Sequence, residues 1–341
     1  MEIFENHDLK PLTTFSIGGK AAYFTEVFNK KDLIKAVEFA EKKKLPIFVI
    51  GHGSNLLVDD HLLNALVIKL TNKDFSISQK GDNNFLVLAG AGMDWDSLVE
   101  KTVKNNLQGL ECLSGIPGTV GAAPVQNIGA YGQEVKDCLE KVFAYDLIKG
   151  KFIEIDNHDC HFEYRNSIFK EQKNRYIIFE VIFRLKRNTP ASVGYESLSK
   201  HLQEKGITQP QLEQVRKAVL ELRKVKLEDP KLFGNAGSFF KNPIVDKISL
   251  KRIQKLYPEI PFFKQGDKVK LFAGWLIEKA GWRGRNYHSA AVSGKNAMVI
   301  INSNGRAKSS DVLALATMIT RDVEEKFGIK LKKEVEFVGE C

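Results

Sequence analysis

The first 65 residues contain two apolar runs with an amphipathic pattern between them. Segments 21–28 and 46–50 are dense in apolar and aromatic residues, which predicts two strands. Segment 30–44 repeats apolar residues at helical spacing among lysines and glutamates, which predicts a helix with one buried face. The repeating residues are Leu33, Ile34, Val37 and Ala40. We therefore expect a β-α-β unit that ends in the loop GHGSNLLV at 51–58.

The middle of the chain is rich in strand patterns and in glycine. The runs ALVIKL and FLVLAG, and the long run RYIIFEVIFRLK at 175–186, predict strands. Between them, segment 109–132 reads GLECLSGIPGTVGAAPVQNIGAYG and contains six glycines. A segment so poor in side chains has little to bury, so we expect an irregular loop region there.

From about residue 200 onward the patterns become helical. Segment 208–226 carries apolar residues on one face, with Thr208 as the expected N-cap. Gly328 is the expected C-cap of a later helix. The further predicted elements are helices at 246–257, 272–280 and 309–327, a strand and turn at 296–305, and a last strand at 330–339.

These patterns predict an α+β fold with domain boundaries near residues 65 and 200. A chain of 341 residues is too long for one ordinary core, so two or three domains are expected. The predicted regions are 1–65, 66–200, 201–325 and a C-terminal strand at 326–341.

The composition is that of a folded, soluble protein, and we expect no transmembrane helix. Hydrophobic residues make up 43% of the chain and charged residues 27%. No apolar run is long enough to span a bilayer, and the start MEIFENHDLKPL lacks the features of a signal peptide. The four cysteines, which form no CxxC pair, predict neither a disulfide framework nor a metal site, and they fit a reducing cytoplasm. These cysteines are Cys112, Cys138, Cys160 and Cys341.

The formal charge of +9 and the pI near 9.1 allow three interpretations. The first is nucleic-acid binding, the second is a lysine-rich solvated surface, and the third is a site for small anions, whose approach a positive field speeds. The basic residues are scattered, and neither zinc-finger spacing nor an RNA-binding run of basic and aromatic residues is present. Nucleic-acid binding therefore ranks last.

The loop GHGSNLLV matches a dinucleotide-binding turn only in part. A Rossmann loop needs GxGxxG at the start of a helix, and here Leu56 stands at the third glycine position before a strand-like run. Its glycines, with Ser54 and Asn55, can still present N–H groups to a phosphate. A tight turn between strands explains the same residues. Segment 109–132 favours the ligand interpretation, because two such loops fit a dinucleotide held without a Rossmann motif; two irregular structural loops are the alternative.

Other candidate residues have an ordinary explanation when each is considered alone. Arg165 follows Tyr164 and either stacks on it or grips a carboxylate with two hydrogen bonds. Glu334 and Glu336 fall on one face of the predicted last strand, where carboxylates usually face solvent. His52 is either exposed or a point of covalent flavin attachment. In the stretch GNAGSFFKNP at 234–243, small residues allow a ligand to approach Ser238 closely.

Taken in their order along the chain, the motifs resemble those of one family. They are TTFSIGGKA, GHGSNLLV, SGIPGTVGAAPVQNIGAYG, YRNSIFK, GNAGSFFKNP, AGWLIEKAG and EVEFVG, from residue 13 to residue 339. This set is similar to that of the UDP-N-acetylenolpyruvoylglucosamine reductases, the MurB flavoenzymes, over nearly the full length. Tyr195, between the flavin region and GNAGSFF, resembles the type I branch of the family.

The resemblance implies a fold and a reaction. The fold has a two-part FAD-binding region of the vanillyl-alcohol-oxidase type and a C-terminal α+β domain that binds substrate. NADPH reduces a non-covalently bound FAD and NADP leaves. UDP-N-acetylglucosamine enolpyruvate then takes the hydride and becomes UDP-N-acetylmuramate, a step of peptidoglycan synthesis and so of cell-wall growth, shape and division. The resemblance further implies a cytoplasmic monomer with no nucleic-acid partner.

The resemblance also assigns residues to roles. Ser238 is the general acid, while Arg165 and Glu334 orient the substrate and meet its developing charge. Lys241 or Lys226 supplies a positive charge near Ser238. The expected substrate contacts are Tyr195, Lys226, Asn242 and, with less support, Arg223. The expected FAD contacts are Gly51, Gly53, Ser54, Asn55, Gly115, Gly118, Gly121, Ala122, Ala123, Gln126, Asn127, Gly129 and Tyr131.

The chain departs from the family pattern at a few positions. Ala122 and Ala123 stand where serines are common in relatives, so backbone amides would have to replace two hydroxyl contacts to FAD. Ser289 stands where glycine is expected, and Glu336 where relatives can carry arginine. Because family members bind FAD non-covalently, His52 is not expected to be an attachment site.

Two other classes of function stay open. A flavin oxidase of the same fold would use O2 and a different alcohol or lactone, but it has no need of a proton donor such as Ser238. A basic nucleic-acid-binding protein would be colourless and would bind DNA with a steep dependence on salt.

Overall fold

The computed structural model describes residues 1–191 and 193–339, so the prediction for Cys341 lies outside the described residues. The strands are β1 Phe4–Asp8, β2 Lys20–Val27, β3 Ile47–Ile50, β4 Leu56–Val58, β5 Leu63–Leu70, β6 Phe75–Gln79, β7 Asn84–Gly90, β8 Gly129–Ala130, β9 Gln133–Glu134, β10 Leu139–Asp146, β11 Lys151–Asp156, β12 Tyr176–Lys186, β13 Gly234–Ser238, β14 Ile244–Asp246, β15 Phe262–Gln265, β16 Lys268–Leu271, β17 Asn286–Tyr287, β18 Ala290–Val292, β19 Val299–Asn302 and β20 Glu336–Val338. The helices are α1 Lys30–Lys43, α2 Trp95–Lys104, α3 Ile168–Glu171, α4 Glu196–Glu204, α5 Leu212–Lys226, α6 Lys247–Gln254, α7 Ala273–Lys279 and α8 Ser309–Phe327.

The chain forms two units by its internal contacts. Unit 1 comprises Met1–His7, Ala21–His52 and Asn64–Lys224. Unit 2 comprises Asp8–Lys20, Gly53–Leu63 and Val225–Cys341. Each unit therefore draws on chain segments that lie far apart in the sequence.

The first sheet of unit 1 contains the predicted β-α-β unit, which is confirmed. Its strand order is β1-β2-β5-β3, and β3 runs parallel to β5. Helix α1 begins after Asn29, whose side chain accepts a hydrogen bond from the Asp32 amide at 2.9 Å, and it ends at Lys44 in the left-handed conformation. The predicted apolar face is buried at Leu33 and Val37, whereas Ile34 is exposed.

The second sheet of unit 1 has the order β11-β10-β12-β7-β6, and its neighbouring strands are antiparallel. Trp95, the first residue of α2, is fully buried beside this sheet. Its indole ring meets Phe183 of β12 edge to face at 5.9 Å, and its N–H donates to the Leu113 carbonyl at 3.0 Å. This one side chain thus connects the sheet to the start of the glycine-rich segment.

Helix α5 starts later than expected. It begins at Leu212, so Thr208 is not its N-cap. Pro210 lies between them and disfavours helical backbone at the residue before it. The Gln211 carbonyl instead accepts from the Val215 amide at 3.1 Å. Helices α4 and α5 bury their apolar faces in a separate cluster of unit 1 that includes Leu198, Leu202, Val215 and Val219.

Within its described residues, unit 2 contains three sheets and the helices α6, α7 and α8. The strand orders of the sheets are β13-β19-β18-β17, β14-β16-β15 and β20-β4. The large core of this unit includes Phe15, Phe239, Phe240 and the inner face of α8. Helix α8 spans the predicted range and ends at Gly328 in the left-handed conformation, which confirms the predicted C-cap.

The overall content of helix and strand confirms the predicted α+β class. None of the helices within the described residues is both long enough and apolar enough to cross a membrane.

We predict that Trp95→Ala lowers the free energy of unfolding by about 3–5 kcal/mol, because it leaves a cavity and orphans the Leu113 carbonyl. Urea unfolding followed by circular dichroism measures the change. Phe28→Ala is the matched control, because Phe28 is 62% exposed and its truncation should change the stability by less than about 0.5 kcal/mol. Equal losses in the two variants would contradict the role given to Trp95.

Candidate active site

The loop 51–55 has glycine at two positions where a Cβ atom would clash with a neighbouring residue. A Cβ atom on Gly51 would lie 2.7 Å from Thr119 Oγ1. Gly53 has a positive φ of 59°, and a Cβ there would lie 2.7 Å from the Thr13 Cα. His52 between them is exposed, with its Nδ1 3.7 Å from Asp94 Oδ2. Ser54 and Asn55 follow in a half-buried turn before β4.

The glycine-rich segment is held by main-chain hydrogen bonds to the chain between β7 and α2. The Gly118 carbonyl accepts from the Trp95 amide at 3.0 Å, and the Gly121 amide donates to the Ala91 carbonyl at 2.9 Å. A Cβ on Gly121 would lie 2.6 Å from the Ala91 Cβ, so only glycine fits. Gly115 has a φ of 69° and donates its amide to Asp96 Oδ1 at 2.6 Å.

Ala122 and Ala123 lie in and after a 3-10 turn at Val120–Ala122. Both of their amides donate to the Thr119 carbonyl, at 3.0 and 3.2 Å. These two amides are thus engaged within the turn, and the contacts of Ala122 and Ala123 with FAD stay predictions.

The two loops have the chemistry that a phosphate-bearing dinucleotide needs. Their glycines carry no side chain between the main chain and a ligand, and Gly53 has the left-handed backbone found in turns whose amides bind anions. Gly51 and Thr119 also place the start of the first loop against the second one. The residues present therefore fit FAD, and the fit rests on main-chain donors rather than on a Rossmann helix.

Arg165 stands in a strained turn close to the end of the glycine-rich segment. Its φ is 56°, a left-handed conformation that is uncommon for arginine. One terminal nitrogen of its guanidinium donates to the Gly129 carbonyl at 2.9 Å, and the other to the Asn127 carbonyl at 3.4 Å. The guanidinium carbon lies 5.6 Å from the centre of the Tyr164 ring. Gly129 has no room for a side chain, because a Cβ would lie 2.8 Å from Glu134 Cγ.

Asn127 and Gln126 precede this turn. Asn127 is fully buried, and its side chain makes hydrogen bonds within the protein. Gln126 Oε1 accepts from Lys170 Nζ at 3.4 Å.

Two tyrosines and an arginine of unit 1 meet beside Gly115. The rings of Tyr131 and Tyr195 pack edge to face at 5.6 Å, and Arg223 Nε donates to the Gly115 carbonyl at 3.1 Å. Burial raises the pKa of both tyrosines, and Arg223 opposes this effect at Tyr131. Burial lowers the pKa of Arg223, which Tyr131 partly offsets. The predicted substrate residues Tyr195 and Arg223 thus contact the predicted FAD loop directly.

Ser238 ends β13 after an irregularity in the pairing with β19. Gly237 before it has a φ of 70°, and its amide donates to Asn235 Oδ1 at 3.0 Å. The register with β19 shifts between Asn235 and Ser238. A shift of this kind redirects the side chain that follows it, so the half-buried Ser238 does not follow the simple alternation of a strand.

Glu334 is held by two different neighbours. Its amide donates to the Phe239 carbonyl at 2.8 Å, and its carbonyl accepts from Asn55 Nδ2 at 3.3 Å. The backbone contact places Glu334 next to the residue that follows Ser238. Asn55 also accepts from the Glu336 amide at 3.0 Å.

The prediction that Glu334 and Glu336 share one face of a strand is wrong. Strand β20 begins only at Glu336, where it pairs in parallel with β4. Before that point the chain pairs with a different partner, since Lys333 bridges to Phe240 and the Lys241 amide donates to the Lys332 carbonyl at 2.8 Å. The chain changes partner at Val335, so the alternation of a single strand does not apply.

The remaining predicted substrate residues lie in unit 2. Lys226 is exposed at the C-terminal end of α5. Asn242 Oδ1 accepts from the Ala273 amide at 2.9 Å, at the start of α7. Lys241, between Phe240 and Asn242, is half-buried.

Three further residues, to which the motifs assign no role, shape this region. Thr119 meets Gly51, and Asp96 binds both the Gly115 amide and Arg216, the nearest Arg216 contact being 2.5 Å. Glu111 is fully buried and accepts from the Gly109 amide at 2.7 Å. A carboxylate between apolar neighbours, as in GLECL, was a usable signal for Glu111. Asp96 and Thr119 gave no such signal, because their partners are distant in the sequence. Among the described residues, no group of histidine, cysteine and carboxylate side chains is arranged to hold a metal ion.

Two family models match the chain. Residues 21–156 match a model described as an FAD binding domain. Residues 228–338 match one described as UDP-N-acetylenolpyruvoylglucosamine reductase, C-terminal domain.

Named proteins and solved structures agree with these matches. The chain is 40% identical, over 98% of both chains, to UDP-N-acetylenolpyruvoylglucosamine reductase of Pseudomonas aeruginosa. It is 38% identical to the protein of that name from Xylella fastidiosa, over 98% of this chain and 95% of the relative. The crystal structure of the Thermus caldophilus reductase (MurB) has a TM-score of 0.69 at 27% identity and covers 99% of this chain and 98% of its own.

A more distant structure bears on the fold alone. A vanillyl-alcohol-oxidase-type flavoprotein from Myceliophthora thermophila has a TM-score of 0.50 at 13% identity, over 90% of this chain and 70% of its own. The predicted fold class is therefore confirmed, as is the FAD cofactor. The chain is an FAD-dependent oxidoreductase and belongs to the UDP-N-acetylenolpyruvoylglucosamine reductase family.

Proposed function

We propose that this chain reduces UDP-N-acetylglucosamine enolpyruvate to UDP-N-acetylmuramate with NADPH, in two half-reactions that share one site. The observation that carries the proposal is the hydrogen bond from the Glu334 amide to the Phe239 carbonyl, at 2.8 Å. It brings the backbone of Glu334 next to the backbone of Phe239, the residue that follows Ser238. A proton donor and an orienting carboxylate are what the reduction of an enolpyruvyl double bond requires of the protein.

The loop 51–55 and the segment 115–132 would hold FAD without a covalent bond. Bound there, FAD would supply the hydride-transfer chemistry that links NADPH to the vinyl carbon of the substrate. NADPH, FAD and the UDP-sugar all carry phosphates, so the net charge of +9 assists their approach. NADP leaves before the UDP-sugar enters.

Arg165 binds the substrate carboxylate. Addition to the double bond makes negative charge at the neighbouring carbon, and this charge spreads onto the carboxylate. A guanidinium matches a carboxylate with two hydrogen bonds and stays charged when buried. The carbonyls of Gly129 and Asn127 hold it in place before the substrate arrives, so little reorganisation is needed as the charge develops.

Ser238 donates the proton that completes the product. A serine hydroxyl is a weak acid, but its acceptor here is an enolate, which is a strong base. The bulge at Gly237 sets the direction of the hydroxyl, and Lys241 or Lys226 supplies nearby positive charge. Glu334 orients the same end of the substrate through a hydrogen bond, in concert with Arg165.

Tyr195, Lys226, Asn242 and Arg223 contact the diphosphate and uridine of the substrate. Of these, Asn242 also caps the start of α7, so its oxygen has a structural bond and its amide nitrogen is the group assigned to the ligand. The position of Tyr195 between the flavin region and GNAGSFF supports assignment to the type I branch.

We assign residues 1–65 and 66–200 to FAD binding, 201–325 to substrate binding and 326–341 to the terminal segment with Glu334. In the cell the reaction serves peptidoglycan synthesis and hence growth and division. We propose a cytoplasmic monomer that contacts neither nucleic acid nor the membrane interior.

The decisive experiment is an anaerobic titration of the purified protein in two steps. One equivalent of NADPH should bleach the flavin absorbance, and UDP-N-acetylglucosamine enolpyruvate should restore it with formation of UDP-N-acetylmuramate. Bleaching without recovery, followed by rapid oxidation in air, would favour a flavin oxidase. A colourless protein with salt-sensitive DNA binding would contradict the enzymatic proposal.

We predict that Ser238→Ala leaves the reduction of FAD by NADPH within about twofold of the parent protein. The oxidation of reduced flavin by the enolpyruvyl substrate should slow by about 10²–10⁴-fold, which is the usual contribution of a general acid. Anaerobic stopped-flow spectroscopy at the flavin band separates the two steps. Ser310→Ala, at an exposed serine of the same unit, should alter neither step. Equal losses in both half-reactions would remove Ser238 from the role of proton donor.

We predict that Arg165→Lys also acts on the second half-reaction alone. The lysine keeps the positive charge but loses the two-pronged contact, so the rate of flavin oxidation by the substrate should fall by about 10- to 100-fold. The same stopped-flow assay measures this rate. Arg184→Lys is the matched control, because Arg184 pairs with Glu140 and is 48% exposed. If Arg165→Lys proved as active as this control, Arg165 would not be the carboxylate ligand.

A further inference from the structure

Asn127 is a fully buried polar residue with an unusual backbone. Its φ is 46°, in the left-handed region that asparagine tolerates better than most residues. Its amide donates to the Pro124 carbonyl at 3.2 Å. Because a buried polar side chain is costly unless it is hydrogen-bonded, its contacts define what it does.

The Asn127 side chain ties three segments together. Its Nδ2 group donates to Glu134 Oε2 at 2.9 Å and to the Glu163 carbonyl at 3.1 Å. Its Oδ1 accepts from the Lys136 amide at 3.0 Å. The side-chain NH2 group and the side-chain oxygen of Asn127 therefore all make hydrogen bonds within the protein, which holds the side chain in one orientation.

The Asn127 contacts lie next to Arg165 and to the turn that carries it. The Asn127 main-chain carbonyl accepts from Arg165 at 3.4 Å, and the Glu163 carbonyl that Asn127 binds belongs to the turn containing Arg165. That turn is closed by reciprocal backbone hydrogen bonds between Glu163 and Asn166, at 3.1 and 3.2 Å. Asn127 thus holds both the backbone of the Arg165 turn and one acceptor of its guanidinium.

We propose that Asn127 is a positioning residue for Arg165 and not a direct ligand of the cofactor. Asn127 fixes the position and orientation of the Arg165 guanidinium before the substrate carboxylate binds. The inference rests on the proposed function, in which Arg165 binds that carboxylate in the second half-reaction. Its effect should therefore appear in that half-reaction and not in flavin binding.

Asn127→Asp is the sharpest test, because it keeps the shape, the left-handed backbone preference and the acceptor for the Lys136 amide. It replaces the donating NH2 by an oxygen that faces the Glu134 carboxylate and the Glu163 carbonyl. These contacts become repulsive, and the Arg165 turn loses its anchor.

The expected result for Asn127→Asp is a fall of about 10- to 100-fold in the rate of flavin oxidation by the enolpyruvyl substrate. The FAD content and the rate of reduction by NADPH should stay within about twofold of the parent protein. Anaerobic stopped-flow spectroscopy and the absorbance ratio of flavin to protein measure these quantities. Arg184→Lys again serves as the control for a distant change of the same unit.

A second substitution distinguishes positioning from general damage. In the double variant Asn127→Asp/Glu134→Gln, the new amide at position 134 donates to the new carboxylate at position 127, so the contact is restored with reversed polarity. The double variant should recover at least about fivefold of the rate lost in Asn127→Asp. Glu134→Gln alone reports the cost of losing the ion pair with Lys136, whose Nζ lies 3.0 Å from Glu134.

If Asn127→Asp does not yield folded protein, Glu134→Ala tests the same contact from a residue whose side chain is 25% exposed. The second half-reaction should then slow by about 3- to 10-fold, again with FAD retained. Unchanged rates in these variants overturn the inference, as does loss of FAD with equal losses in both half-reactions.

The failure of this inference and that of the proposed function are separable. If Arg165→Lys slows the second half-reaction and Asn127→Asp does not, only the positioning role is wrong. If Arg165→Lys has no effect, the role of Arg165 fails first, and the inference fails with it.

Discussion

The close approach of main chain at positions that have no side chain is the constraint on which the rest of this structure depends. Gly121 lies where any Cβ would strike Ala91, and Gly51 lies where any Cβ would strike Thr119. Gly129 leaves the space beside Glu134 in which the Arg165 guanidinium reaches its carbonyl acceptors. Packing within the protein is by itself sufficient to require glycine at these positions, since a side chain at each one would clash with a neighbour.

The proposed catalytic groups are presented by irregular backbone and not by regular elements. Arg165 has a positive φ within a tight turn, and Ser238 follows Gly237, also at positive φ, in an interrupted strand pairing. Such conformations persist only where neighbouring contacts over-determine them. The Asn127 side chain supplies such contacts for Arg165, and the Asn235 side chain does so for Gly237. In each unit, a buried asparagine therefore holds the backbone next to a proposed catalytic residue.

The C-terminal segment forms backbone hydrogen bonds with two different parts of the chain in succession. Residues 332–334 pair with the chain after Ser238, and Glu336 onward pairs with β4 after the loop that contains Asn55. Glu334 lies at the change of partner, between Phe239 and Asn55. A regular strand would have left Glu334 exposed on one face, whereas the change of partner holds its backbone from both sides.

The sequence by itself determined the local elements and, through the order of its motifs, the family. The spacing of Leu33 and Val37 fixed α1, Gly328 fixed the end of α8, and the run 175–186 fixed β12, because periodicity and capping act over a few residues. Thr208 was misread as an N-cap because Pro210 sets the start of α5.

The contacts of the polar residues follow from the three-dimensional fold and not from local sequence. The motif predicts that Asn127 contacts FAD, and the structure shows in addition that its side chain binds Glu134, Lys136 and Glu163. The pattern around Glu334 predicts one continuous strand, whereas its backbone partners, Asn55 and Phe239, lie far from it in the sequence. Contacts of this range depend on how the folded segments meet, and no local pattern of hydrophobic and polar residues encodes them.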